Sequence, residues 1–136
     1  MNNLHYMVVD DDATNNMICN FLIKRMDPEA EIKTFGIPEE ALLYIKNEYN
    51  ISGNQLPTVL FLDVNMPSIS GWEFLDEFML FDKSLRNQFS IYILSSSIED
   101  FSEKAKTYTI IQDFLSKPLK INDLEKIREH QKLSVF

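Results

Sequence analysis

Carboxylates, hydroxyls and one ammonium stand at the ends of the apolar runs in this chain of 136 residues. Tyr6-Met7-Val8-Val9 leads into Asp10-Asp11-Asp12, and Val59-Leu60-Phe61-Leu62 leads into Asp63. Ile91-Tyr92-Ile93-Leu94 ends in Ser95-Ser96-Ser97, and the run 110–115 passes through Ser116 to Lys117-Pro118. If these runs are neighbouring parallel strands, their C-terminal ends bring all of these groups into one crevice beyond the sheet. Carboxylates held close together raise one another's pKa, so leaving three of them unneutralised is costly. A hard divalent cation resolves the repulsion. Mg²⁺ takes oxygen ligands and keeps several waters, so two carboxylates and a backbone carbonyl suffice. Lys117, restricted to extended backbone by Pro118, can pair with Asp63 or with an anion bound beside it. Together these groups can hold a divalent cation and a phosphoryl group.

Elements of alternating period must position them. Residues 4–9 read as a buried strand, and 14–25 as a helix with Ile18, Phe21, Leu22 and Arg25 at helical spacing. A short strand follows near 32–35. Ile37-Pro38-Glu39-Glu40 opens a second helix, with proline in its first turn and acids at its positive end. Its stripe is Ala41, Leu42 and Ile45. After a loop over 49–57 comes the strand 58–62. Ser70-Gly71-Trp72-Glu73 forms a capping box for a helix to about Leu80. Polar residues 82–89 connect to the strand 91–94. Ser96-Ser97-Ile98-Glu99 offers another capping box, for a short helix to about Thr107. The strand 110–115 then precedes a helix capped at Asn122-Asp123-Leu124-Glu125. Five β/α units with continuous apolar strands imply an α/β fold, a parallel sheet covered on both faces. One domain spans 1–136, with its core at about 4–130 and a tail at 131–136.

Hydrophobic content of 45% argues against disorder. Net charge is −8, from 13 basic and 21 acidic residues, a surface that repels phosphate backbones and argues against direct nucleic-acid binding. The single Cys19 cannot form an internal disulfide and reads as a small core residue. No apolar run is long enough to span a bilayer, and no basic stretch precedes an apolar segment at the start, so a cytoplasmic protein is expected. Asp12 reads as a helix N-cap. His5 and His130 lack partners at ligand spacing and read as surface residues. Trp72 is expected to pack at the start of its helix, near the crevice.

Val9-Asp10-Asp11, Leu62-Asp63-Val64-Asn65-Met66-Pro67 with Gly71, the strand ending in Ser95, and Lys117-Pro118 resemble, in order and spacing, the receiver domain of two-component response regulators. The resemblance covers about residues 4–130 and implies a flavodoxin-like (βα)5 fold with strand order 2-1-3-4-5. It implies that Asp63 is the phosphoacceptor and that Mg²⁺ is the cofactor. Asp11, Asp63 and the Asn65 carbonyl would be its ligands, with Asp10 acting through water. Ser95 and Lys117 would contact phosphoryl oxygens, and Asn65 and Ser97 would flank the hydrolytic water and tune its rate. In such domains the hydroxyl moves toward the phosphoryl group, an aromatic on the fifth strand turns into the vacated space, and the face of the fourth helix, fifth strand and fifth helix carries the signal. Here the hydroxyl is Ser95 rather than the commoner threonine, and the aromatic is Phe114 rather than tyrosine, so no phenol is available to hold the rotated state. The implied partners are a sensor histidine kinase or histidine phosphotransfer protein and a downstream protein, with a homodimer through the output face as a further form. The chain would not be an enzyme for a separate substrate.

Two other functions compete. A non-phosphorylated interaction module of the same fold predicts missing acidic or lysine positions, and none is missing. A Mg²⁺-dependent phosphatase or phosphotransferase with an aspartyl nucleophile usually carries a second carboxylate two residues on as acid/base. Position 65 is Asn, and no glycine-rich phosphate loop is present.

Overall fold

The structure, a computed structural model, describes residues 4–50, 55–96 and 100–134, with side chains described to Gln131. Its elements run β1 (His5–Val9), α1 (Ala13–Met26), β2 (Glu31–Phe35), α2 (Pro38–Glu48), β3 (Thr58–Leu62), α3 (Gly71–Phe78), α4 (Lys83–Arg86), β4 (Phe89–Ser95), α5 (Ser102–Thr107), β5 (Ile111–Ser116) and α6 (Ile121–Ser134). The five strands form one parallel sheet in the order β2-β1-β3-β4-β5. This is the α/β class and the strand order expected. The central strands β1 and β3 have no polar face, because both faces of the sheet are covered. Met7, Val9, Leu60, Leu62, Ile91 and Ile93 pack with α2, α3 and Leu85 of α4 on one face. Tyr6, Val8, Val59, Phe61, Tyr92 and Leu94 pack with α1 and α6 on the other.

Local signals account for several boundaries. Asp12 caps α1, its side chain accepting from the N–H groups of Thr14 (3.0 Å) and Asn15 (3.3 Å). The Ser70/Glu73 capping box is complete, with Glu73 N–H on Ser70 Oγ at 3.1 Å and Ser70 N–H on Glu73 Oε1 at 3.0 Å. Pro38 opens α2 with Glu39 and Glu40 in its first turn.

Four readings are corrected. The buried stripe of α1 is Asn15, Asn16, Cys19 and Ile23, while Met17, Ile18 and Phe21 are exposed. Residues 82–89 contain a helical turn, α4, which buries Leu85. α5 begins only at Ser102, whose N–H is held by the Asp100 carboxylate at 2.9 Å; Ser97, Ile98 and Glu99 of the proposed capping box lie outside the described residues. α6 begins before Asn122, and Asp123 reaches back to the Lys120 N–H at 3.3 Å. α6 also runs on to Ser134, so its backbone continues through most of the expected tail.

Candidate phosphoacceptor site

Register places the acids. Val9 of β1 pairs with Leu62 of β3, so Asp10 and Asp63 leave adjacent strands at the same level. Asp63 N–H bonds to Val9 O at 3.0 Å, and Asp10 N–H to Phe35 O at 3.0 Å. Leu62 pairs with Ile93 and Ser95 with Ser116, which puts Ser95 and Lys117 at the next two strand ends. The Lys117 N–H bonds to Ser95 O at 2.9 Å, and the Lys117–Pro118 peptide is cis. Gly71 lets the start of α3 close onto this loop. Its N–H bonds to Val64 O at 3.0 Å, and a Cβ there would lie 2.5 Å from Asp63 O.

One carboxylate oxygen from each of Asp10, Asp11 and Asp63 lies within 4.8 Å of the others. Asp10 and Asp63 are buried, whereas Asp11 is exposed and opens the group to solvent. Lys117 Nζ bridges the buried pair, 2.7 Å from Asp10 Oδ2 and 3.5 Å from Asp63 Oδ1. Asp10, not Asp63, is therefore the nearer partner of the lysine. The Asp63 carboxyl is pushed up to about 6 by its burial and by the charge of Asp10. Lys117 and the backbone N–H groups of Asn65 and Val64 oppose this rise but do not cancel it. Burial alone would lower Lys117, but its hydrogen bond to Asp10 and the charges of Asp10 and Asp63 outweigh it and hold the ammonium above its usual value. One lysine thus incompletely compensates three acids. The donor set is all oxygen, clustered and open on one side, which fits a hard divalent cation.

Ser95 is 2% exposed at the end of β4. Phe114 pairs with Ile93 in register and is half-buried. Its ring stacks on Phe101 at 5.0 Å and 9°. Phe101 meets Trp72 at 5.9 Å, and Trp72 stacks on Tyr108 at 5.6 Å with Lys104 Nζ 4.9 Å above the indole. This aromatic cluster ties α3, which starts beside Asp63, to α5 and β5. Asn65 is exposed in the loop after Asp63. Ser97 falls outside the described residues.

Asn15 and Asn16 escaped the sequence reading. Asn15 Nδ2 donates to Asp10 Oδ2 at 2.8 Å, and Asn16 Nδ2 donates to the Asp10 carbonyl at 2.9 Å. The signal available was Cys19, already read as core, with Asn15 one turn before it on the same face.

A family profile described as the response regulator receiver domain matches residues 6–129. No curated protein matches the sequence. Among solved structures, a two-component response regulator from Cytophaga hutchinsonii is 26% identical, with a TM-score of 0.82 over 96% of this chain and 97% of that one. A response regulator receiver protein from Dyadobacter fermentans is 24% identical, with a TM-score of 0.79 over 93% and 96%. The Vibrio cholerae chemotaxis protein CheY4 is 21% identical, with a TM-score of 0.72 over 95% and 98%, a likeness of fold.

Proposed function

Because the chain belongs to the response regulator receiver domain family, we propose that Asp63 accepts a phosphoryl group from a phosphohistidine donor in the presence of Mg²⁺. The observation that carries this is the buried Asp63 carboxylate beside Asp10 and Asp11, with Lys117 already between the two buried acids. An Asp63 oxygen bonds to phosphorus in line as the P–N bond to the donor imidazole breaks, and that nitrogen keeps the electron pair. Lys117 pairs with one phosphoryl oxygen, and the Ser95 hydroxyl donates to another. Asp11, Asp63 and the Asn65 carbonyl would hold Mg²⁺ directly. When bound, Mg²⁺ neutralises charge on the transferring phosphoryl group. Asp10 acts through water, a role supported by its carboxylate being already engaged by the Asp12 N–H at 2.9 Å, Asn15 and Lys117. Asn65 and Ser97 flank the water that later hydrolyses the acyl phosphate.

A donor protein must touch the rim of the crevice to deliver its histidine. Met17 and Phe21, 72% and 62% exposed, stand with Ile18 on α1, the helix that starts at the aspartates. Met17 shares a groove of about 370 Å³ with Asp11. This apolar rim is the donor-docking surface in our reading. Output passes through α5, β5 and α6, which are the fourth helix, fifth strand and fifth helix once the turn α4 is set aside. The domain signals by binding a downstream protein. Among the described residues no helix is long and apolar enough to cross a membrane.

The test is intact-protein mass after incubation with Mg²⁺ and acetyl phosphate. One phosphoryl per chain is expected on the wild type and none on Asp63→Asn or with EDTA. Turnover of a phosphate ester well beyond one equivalent would instead indicate a phosphatase, and no adduct from acetyl phosphate or a phosphohistidine protein would favour an interaction module.

A further inference from the structure

We propose that Asn15 is a positioning residue that keeps the Asp10 carboxylate in place when Lys117 leaves it for the phosphoryl group. The inference rests on the phosphoacceptor reading of Asp63. Asp10 is 1% exposed, and its Oδ2 takes two donors, Lys117 Nζ at 2.7 Å and Asn15 Nδ2 at 2.8 Å. Its Oδ1 takes the Asp12 N–H at 2.9 Å. Lys117 sits closer to Asp10 than to Asp63, so moving toward a phosphoryl group on Asp63 lengthens the shorter contact. A buried carboxylate whose direct cation partner moves away keeps a water-mediated link to Mg²⁺ and needs another donor on the freed oxygen. Among the described residues, the Asn15 amide is the side-chain donor that remains. Being neutral, it holds the oxygen without adding positive charge beside a divalent-cation site, which a second lysine or an arginine would do.

The placement of Asn15 supports a task beyond packing. It is 5% exposed on the core stripe of α1, where an apolar residue would be cheaper, because a buried amide must be fully hydrogen-bonded to be tolerated. Asn16 clamps the Asp10 carbonyl at 2.9 Å, so the first turn of α1 grips Asp10 by both side chain and backbone.

The experiment compares Asn15→Ala and Asn15→Leu with wild type in the full chain, by calorimetric titration of Mg²⁺ with and without beryllofluoride, a phosphoryl mimic. Leu keeps the core volume and removes only the donor, so it carries the test should Ala fail to fold. The inference expects Mg²⁺ affinity without beryllofluoride to stay within about twofold of wild type, because Lys117 still holds Asp10. It expects affinity in the beryllofluoride state to fall at least about tenfold, the scale of one hydrogen bond to a charged group. Equal losses in both states would mark Asn15 as merely structural and overturn the inference, as would unchanged affinity in both. Wild type that takes up no beryllofluoride would overturn the phosphoacceptor reading as well.

Discussion

Asp63 holds its proton to about pH 6 in the metal-free protein because it is buried and faces Asp10. The folded-state value lies above the ordinary carboxylate value, so the folded state binds the proton more tightly than the unfolded chain. The charged group is a destabilising element at neutral pH, and its cost fades as pH falls through about 6 toward 4. Two outcomes follow. Mg²⁺ needs the ionised form, so its affinity should be steady above pH 7 and drop by about tenfold per unit below pH 6, measured by calorimetry. Asp63→Asn removes the buried charge and should stabilise the metal-free protein at pH 7.5 by about 1–3 kcal/mol in urea denaturation. Lys117→Met should retain Mg²⁺ binding, tightened several-fold by the loss of a competing cation, while slowing phosphorylation by about 10²-fold or more. Weakened Mg²⁺ binding in that variant would contradict the charge balance described for the crevice. The acids and the lysine were legible in the sequence because each ends an apolar run, and strand ends in a parallel sheet share one edge. Asn15 was not, because its role depends on how α1 is rotated about its axis.

That rotation is the principal correction among the elements. Ile18, Phe21 and Leu22 have helical spacing, yet of these only Leu22 packs partly against the core. The N-terminal turn decides the phase: Asp12 caps it, and Asn15 and Asn16 bind Asp10. These polar ties outweigh what apolar spacing alone suggests, and they turn Met17 and Phe21 outward. If that exposed stripe docks the phosphodonor, Phe21→Glu should reduce transfer from a phosphohistidine protein by about tenfold or more, in keeping with loss of a buried aromatic contact. Labelling by acetyl phosphate, which needs no docking surface, should be unchanged. α3 imposes a different constraint. Its first residue, Gly71, lies so close that a Cβ would meet Asp63 O at 2.5 Å and the Val64 Cα at 2.9 Å. Gly71→Ala should therefore displace the acceptor loop and cost about 1–3 kcal/mol of stability, measured by denaturant titration. The Ser70/Glu73 box that starts α3 was readable from four residues. The turn α4 was not, because it depends on the burial of Leu85, the single apolar residue of the polar segment 82–88.

Across the whole molecule, the crevice and the expected output face are joined by rings. Trp72 follows Gly71 and contacts Phe101 and Tyr108, and Phe101 stacks on Phe114 of β5. A phosphoryl group that shifts Ser95 and Phe114 must disturb this cluster. Trp72 is the only tryptophan, so its emission should change with Mg²⁺ and acetyl phosphate in wild type and not in Asp63→Asn. The strand order was legible because continuous apolar strands alternating with helices leave few parallel arrangements, and the motif resemblance selected one. The aromatic cluster was not, since it joins residues far apart in sequence whose meeting depends on where α5 begins.

The central claim is that phosphorus is carried on Asp63 itself. Borohydride reduces an aspartyl phosphate to homoserine, so reduction after treatment with Mg²⁺ and acetyl phosphate, followed by peptide mapping, reads the acceptor directly. Homoserine at position 63 and at no other aspartate is the result this account predicts. Homoserine at Asp10 or Asp11, or phosphorus found on a serine or histidine with position 63 unmodified, would contradict it.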